Sequence, residues 1–586
     1  MTLRQQIEAG MAHHQAGRLR EAEAIYREVL KQSPNQPDAL HLLGALAGPA
    51  GRLDEAIELI SRAISINPSQ VVYHCNLSEM YRRAGRPDDA ISSARRAIRL
   101  DPKFAMAYCN MGLALTTVGK SDDAIAAFRH AVELNPEFID ALAYLGNTLS
   151  SLGQFEDAVV VFRRLCKLKP DSVEALCGLG AALRDGGQPR EAIPLFRQAL
   201  EIQPESSPAH NHLGVALGLT DHVDEAIAAF RRAIQIQSNN AVAIKNLGVA
   251  LAEKGEFDQS LAALDRAIQL KPDLPQAHGN RAMILLMAGD FKRGWPEYEW
   301  RWRDQTGMVS TPRNFTQPRW DGESLPGKTI LIHAEQGFGD TIQFVRYLPM
   351  VARLGGRVIL DCPIELVRLL RRAPAVERIF ATGAALPGFD CHCPLLSLPR
   401  AFSTDLNSIP ADIPYLAPEP ALAARWKGRI ESQKPAFNVG LVWAGSPKNH
   451  LDRRRSIAFD QVCNLAAVPG VRFFSLQKGA PGIVTAPPGM TFIDWTSELQ
   501  DFDDTAALIA NLDLVIAVDT AVAHLAGAMG KPVWVMVPFL PDWRWMLNRS
   551  DSPWYPTMRL FRQSSHGDWP GVIAAVAQAL ETASSH

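Results

Sequence analysis

Three short stretches in the second half of the chain hold side chains suited to polar chemistry. The first, Glu335-Gln336-Gly337-Phe338-Gly339-Asp340, lies between an apolar run at 329–333 and a helical pattern at 341–354. Asp340 is thus a carboxylate at a strand-to-helix turn. Such a group can accept a proton, because partial desolvation raises its basicity, or it can cap the helix behind it. Gly337 and Gly339 permit a tight turn and a close approach. The second stretch, Asp452-Arg453-Arg454-Arg455-Ser456, follows an apolar run at 438–443 that ends in Ala444-Gly445-Ser446, with Lys448 between. Arg453 and Arg455 can bind a phosphate through paired N–H donors; the plainer alternative is a solvated basic turn. In the third, Asp519-Thr520-Ala521 opens a helix carrying His524, so its first backbone amides offer partial positive charge to an anion. Gln477 and Lys478, after the run at 471–476, are weaker polar candidates. Cys391-His392-Cys393 has no second ligand pair at zinc-like spacing, so no metal site is expected.

The elements around these stretches alternate. Strand patterns at 329–333, 357–360, 438–443, 471–476, 514–518 and 531–537 are interleaved with helical ones at 341–354 and 364–372 and after 519. That alternation implies parallel, doubly wound sheets, whose ligands sit outside the carboxyl ends of the strands. All three stretches fall at such ends. A linker near 417–435 divides the region into two halves, 328–432 and 433–586, with a cleft expected between them.

The first half of the chain is repetitive. Prolines stand at 34, 68, 102, 136, 170, 204 and 272, steps of 34 residues, with Ser238 at the missing place. In phase with them run Gly17 to Gly289, Ala22 to Ala226, and Gly10 to Gly248, each with few exceptions. The glycine of the Gly17 series ends a first helix, the small residues let helices approach, and the proline stops the second helix. These ladders resemble tetratricopeptide repeats, about nine of them over 1–308. The resemblance implies an α solenoid with a concave groove. Asn76, Asn110, Asn246 and Asn280 recur at one position of the repeat. In O-linked N-acetylglucosamine transferases, asparagines of this kind hold a peptide backbone, so these four are candidates for a peptide groove, or else solvated helix-face residues. Tyr144, Gly178 and His212 interrupt their ladder. Trp295, Trp300, Trp302 and Trp320 then mark a junction, 309–327, that packs the last repeat against a new domain.

Composition narrows the function. The 586 residues carry 60 Lys+Arg and 62 Asp+Glu, a net charge of −2, so no global basic field draws the chain to nucleic acid or an anionic membrane. Eight scattered cysteines without a CxxC fit reduced thiols. The N-terminus lacks an apolar core of the signal-peptide kind, and no stretch reaches the roughly 18 apolar residues of a membrane span. A soluble, cytoplasmic protein is expected.

In this order and at these strand ends, the three stretches resemble the heptosyltransferase-like glycosyltransferases, and more closely bacterial proteins that join tetratricopeptide repeats to such a domain. The resemblance implies a GT-B arrangement of two Rossmann-like halves, the second binding a nucleotide-sugar. By that resemblance Asp340 is the general base, in an acceptor loop with Gln336, Gly337 and Gly339. Arg455 stands where the family has a phosphate-binding lysine, with Lys448 and Arg453 nearby. Asp519 and His524 match donor contacts, with Gly445, Ser456, Gln477, Lys478, Thr520 and Ala521 around them. The family often has glycine in place of Ala521. It implies a metal-independent transferase whose nucleotide-sugar is a substrate, with no cofactor, and a protein acceptor held by the repeats, flagellin by analogy. The alternatives are an inactive repeat scaffold and a lipopolysaccharide heptosyltransferase.

Overall fold

The computed structural model of the protein describes residues 1–304, 313–446, 452–479 and 485–585, leaving aside the side chain of Arg453. The chain forms two compact units, Met1–Asn246 and Leu247–His586.

The first unit is a run of helix pairs, from Leu3–Gln15 and Leu19–Gln32 to Ser207–Gly218 and Val223–Ile236. Each pair turns on a residue in the left-handed region: Gly17 has φ 73°, Gly119 74° and Gly187 84°, and Asp221, which replaces glycine once, has φ 65°. Glycine holds this conformation without the Cβ clash, and a short polar side chain tolerates it. The helices of a pair then meet at a second glycine. A Cβ at Gly112, Gly146, Gly180 or Gly214 would stand 2.5–2.7 Å from a ring carbon of Phe128, Phe162, Phe196 or Phe230. Ala22, Ala56, Ala90, Ala124, Ala158, Ala192 and Ala226 are fully buried on the second helices. The residues that interrupt the asparagine ladder close the seam between repeats. Tyr144 stacks on Phe128 with ring centres 5.8 Å apart, and His212 on Phe196 at 5.6 Å. Gly178 clears Phe162, so that ring is hemmed in by glycines from two helices, Gly146 and Gly178.

The second unit contains the helices Phe257–Leu270, Pro275–Met287 and Phe291–Tyr298, followed by two parallel sheets. The first sheet joins β1 (Thr329–His333), β2 (Arg357–Cys362), β3 (Val376–Ala381) and β4 (Cys391–Pro394) in the order β3-β2-β1-β4. The second joins β5 (Phe437–Val442), β6 (Val471–Ser475), β7 (Thr491–Ile493), β8 (Leu514–Val518), β9 (Val533–Val537) and β10 (Met558–Arg562) in the order β10-β9-β8-β5-β6-β7. Every pairing between these strands is parallel, as the strand–helix alternation demands. The central strand β8 is buried throughout and reads as a continuous apolar run, and β1 and β5 are buried along their last four residues.

The segment 417–435 that connects the two sheets holds the helix Pro420–Glu431, anchored by Trp426 stacked on Trp495 at 5.4 Å. Cys391-His392-Cys393 is β4, an edge strand: both cysteines are buried on one face, and His392 points to the other, its Nδ1 3.2 Å from His333 Nε2. The tryptophan-rich segment packs against the sheets. Trp295 donates to the Thr404 carbonyl at 2.9 Å and meets Trp543 edge-on at 5.2 Å. Trp320 N–H donates to the His392 carbonyl at 2.8 Å, covering the edge of β4.

Because Phe162 cannot retreat from one glycine without meeting the other, Gly146→Ala should destabilise the array by about 1–3 kcal/mol, the usual cost of an extra methyl in a filled core. Adding Phe162→Leu should recover part of that loss. Thermal melting followed by circular dichroism reads both, and an unchanged midpoint for Gly146→Ala would show that the ring has room to move.

Candidate functional site

The turn after β1 and the turn after β8 touch. The first leads into the helix Phe338–Phe344 and the second into Ala521–Ala528, and these helices pack together. The contact is close because of Gly339: a Cβ there would lie 2.8 Å from His524 Cδ2 and 3.4 Å from Ala521 Cα. Gly339 thus admits the neighbouring helix. Gly337 has ordinary extended dihedrals and precedes the first turn.

Asp340 sits at this meeting point with 18% of its side chain exposed. Its Oδ2 accepts the Gly337 N–H at 2.8 Å, so it does cap its own helix. Its Oδ1 accepts a hydrogen bond from Arg544 Nη2. Burial raises the Asp340 carboxyl above its usual range, Arg544 opposes that, and Asp542 adds to it. Arg544 is buried and fully committed: Nη1 donates to Asp542 Oδ1 at 2.9 Å and Nε to Gln343 Oε1 at 2.7 Å, over the Trp543 ring at 4.2 Å.

Across the contact, Asp519 directly follows β8. Burial pushes its carboxyl up to about 6, Asp542 adds to the rise, and Arg455 and Arg544 oppose it. His524 is buried, with Nδ1 3.0 Å from the Tyr555 hydroxyl and its ring on Trp545 at 5.2 Å. Burial, with Arg544, Arg346 and Arg455 nearby, holds this imidazole neutral. Thr520 precedes the helix in an extended conformation, its buried hydroxyl making no hydrogen bond among the described residues.

The basic turn is built around Gly445. A Cβ at that position would lie 2.1 Å from Asp452 Oδ1 and 2.7 Å from Arg455 Nε. Gly445 N–H donates to Ser456 Oγ at 2.9 Å, and that hydroxyl donates to Asp452 Oδ2 at 2.8 Å. Arg455 Nε lies 3.2 Å from Asp452, while its charge bears on Asp519 and His524. Lys448 and the Arg453 side chain lie outside the described residues. Arg454 pairs with Glu253 at 2.9 Å.

Other candidates have local partners. Gln477 Oε1 accepts the N–H groups of Trp443 and Ala444 at 3.2 and 2.9 Å, so it braces the end of β5. Lys478 donates to the Leu499 carbonyl. Gln336 lies against the Tyr298 hydroxyl at 3.2–3.3 Å. Beside it, Glu335 is buried in a two-point pair with Arg301 at 2.9 Å, which also reaches Ser397 and Glu299. Asn76 Nδ2 lies 2.8 Å from His41 Nε2, Asn110 is buried and donates to the Cys75 carbonyl at 3.0 Å, and Asn246 donates to Asn211 Oδ1 at 2.9 Å. Each amide spends a donor stitching its repeat to the one before. Asn280 is half-buried on Pro275–Met287.

The sequence reading misses Arg544, Asp542, Trp545, Tyr555 and Gln343. A signal for three of them is there: Pro541-Asp542-Trp543-Arg544-Trp545 follows the strand pattern at 531–537, a carboxyl end where ligands gather.

A helical repeat array followed by paired parallel sheets, with charged turns meeting between the sheets, defines a repeat protein that carries an α/β region of the Rossmann-like kind. Comparison with known proteins makes this specific. Tetratricopeptide-repeat profiles match residues 13–77, 71–104, 105–138, 127–160, 146–184, 177–241 and 219–284. Glycosyltransferase family 9 (heptosyltransferase) matches residues 499–535, which contain β8, Asp519 and His524. The chain thus carries tetratricopeptide-repeat matches along its first half and a short match to glycosyltransferase family 9 near the end of β8. It is 32% identical over 318 residues to Protein FlbA of Caulobacter vibrioides, covering 50% of this chain and 52% of that one, so it spans about half the length of that relative. Among solved structures it is similar to YrrB, described as a TPR protein with an unusual peptide-binding site (26% identity, 31% of this chain and 95% of that one, TM-score 0.27), and to MamA (28%, 29% and 92%, TM-score 0.27). No helix among the described residues is long and apolar enough to cross a membrane.

The raised Asp519 carboxyl has a signed consequence. A carboxyl that binds its proton more tightly folded than unfolded loses stability as pH rises from the unfolded value through the folded one, here from about 4 to about 6. Asp519→Asn should therefore raise the melting temperature more at pH 7.5 than at pH 4.5. Equal effects at the two pH values would place the Asp519 carboxyl back in the ordinary range.

Proposed function

We propose that the protein is a GT-B glycosyltransferase that moves a sugar from a nucleotide-sugar to a hydroxyl of a protein acceptor, with flagellin Ser/Thr as the acceptor class by analogy, in the cytoplasm. The observation that carries this reading is the contact of the β1 and β8 turns, which sets a carboxylate of raised basicity beside a helix-opening turn on which the charge of Arg455 bears. In this reading the acceptor hydroxyl gives its proton to Asp340. Its oxygen bonds to the anomeric carbon, and the bond from that carbon to the donor phosphate oxygen breaks, the electron pair leaving with the nucleotide. Arg455 and the amides at the start of Ala521–Ala528 meet the charge that develops on the phosphate, which makes the route independent of a metal. Each oxygen of Asp340 accepts one bond in the folded protein, and a carboxylate oxygen has two lone pairs, so each retains a site for a proton. The repeats recruit the acceptor. Because Asn76, Asn110 and Asn246 spend their amide donors on the preceding repeat, they offer a peptide mainly their remaining groups.

Asp340→Asn keeps the size and the cap but takes no proton, so transfer should fall about a hundred- to ten-thousand-fold with donor affinity hardly changed. Arg455→Ala should weaken donor binding by about 1.5–3 kcal/mol, the size of a charged hydrogen bond. Rates and donor affinities measured side by side separate the two roles; normal turnover by Asp340→Asn would reduce Asp340 to a helix cap.

Excision of residues 71–240, which removes whole repeats and so preserves nearest-neighbour stacking, should abolish modification of the protein acceptor while slow donor hydrolysis continues. Full acceptor modification by the shortened protein would show that recruitment lies outside the repeats.

A further inference from the structure

We propose that Arg544 is a positioning residue for Asp340: delivered from the turn after β9, its guanidinium fixes that carboxylate across the junction of the two sheets and keeps it in the proton-accepting form. The role in catalysis rests on the reading of Asp340 as the base; the pairing itself does not.

The geometry is specific. Arg544 grips the helix Phe338–Phe344 at two points, Asp340 Oδ1 and Gln343 Oε1, residues that lie one turn apart. It is itself held from behind, because Asp542 Oδ1 accepts both its backbone N–H, at 3.0 Å, and its Nη1, at 2.9 Å. Trp543 lies against its flat face. A guanidinium so clamped has one orientation to offer, and a forked donor fixes a carboxylate more tightly than a point charge does.

The charges around Asp340 make the pairing consequential. From the last repeat helix comes the buried Tyr298 hydroxyl, a neutral group. The turn after β9 brings Arg544 and Asp542, and the helix after β8 brings neutral His524, with Asp519 just before it. Among the described residues Arg544 is therefore the one cation in direct contact with a largely buried carboxylate that has a second carboxylate beside it. Without it, burial and Asp542 both favour the protonated form, which accepts no proton.

The test uses the full chain and thermal melting between pH 5 and pH 8 for wild type, R544Q, R544K, D340N, D340N/R544Q and D542N/R544Q. In R544Q, Asp340 holds its proton to higher pH, so folding loses stability as pH rises. The melting deficit should be larger at pH 8 than at pH 5, by about 2 °C or more for each tenfold gain in proton affinity. D340N/R544Q should remove most of that pH dependence and melt above R544Q at pH 8. D542N/R544Q should relieve less, because Asp542 is the more exposed of the two carboxylates. R544K, keeping the charge without the fork, should melt lower than wild type yet retain its pH dependence. A deficit in R544Q that is the same at both pH values, or a double variant no better than R544Q at pH 8, overturns the assignment, whether or not R544Q itself folds. Normal turnover by D340N alone would overturn the base reading while leaving the Arg544–Asp340 coupling to stand on the melting data.

Discussion

The α/β region depends on one steric constraint: the turns after β1 and β8 must come into van der Waals contact, and only glycine at 339 allows it. Once they meet, Asp340, Asp519 and His524 share a small volume with Asp542, and three carboxylates cannot be brought together there unless cations come too. Arg544 and Arg455 answer that need from two different turns. His524 complies by staying neutral between Tyr555 and Trp545. The polar character of the site is thus a consequence of a packing contact. A Cβ at 339 would open the contact and leave Asp340 and its cation to water.

The repeat array obeys a similar rule with apolar groups. One aromatic ring per repeat, Phe128, Phe162, Phe196 or Phe230, fills the gap that a glycine leaves on the preceding helix. The ring then governs what the following repeat presents to it, whether a stacking Tyr144, a stacking His212, or the bare backbone of Gly178. The interruptions of the asparagine ladder are therefore packing choices. The asparagines are packing choices of a polar kind, spending an amide donor on the neighbour at His41, Cys75 or Asn211.

What could be read from the sequence follows from periodicity. The 34-residue ladders and the apolar strand runs recur at fixed spacing, so the helix pairs and the strands β1, β2, β5, β6, β8 and β9 are legible. Strands β3, β4, β7 and β10 lack a continuous apolar run because they lie at or near sheet edges, and β4 reads as a cysteine–histidine motif because a histidine alternates with two buried cysteines. At the site, Asp340, Asp519 and His524 could be found because each adjoins a glycine-rich or helix-opening turn at a strand end. Arg544 could not be assigned a partner from sequence, since 204 residues separate it from Asp340 and only the folded contact joins them. The bracing of β5 by Gln477 is illegible for a related reason: an amide at a strand end can face a ligand or hold the neighbouring strand, and nothing local distinguishes the two.

The Asp340 turn and the basic turn of Arg455 are each tied to the helical segment that begins the second unit. Arg301, just after the last repeat helix, enters the first sheet and pairs with Glu335, the residue that opens the Asp340 turn. Glu253, at the end of Ala241–Glu253, pairs with Arg454 in the basic turn beside Arg455. A buried ion pair gains little over an apolar contact of equal volume, so net stability is a poor reason for the first of these. What a two-point guanidinium–carboxylate pair does provide is one geometry, and losing either partner leaves an unpaired charge behind. A shift of the terminal helices relative to the sheets would strain both pairs at once, one on the Asp340 turn and one on the Arg455 turn. The Asp340 turn and the Arg455 turn are therefore each held by an ion pair to a helix that precedes the sheets, Arg301–Glu335 for one and Glu253–Arg454 for the other.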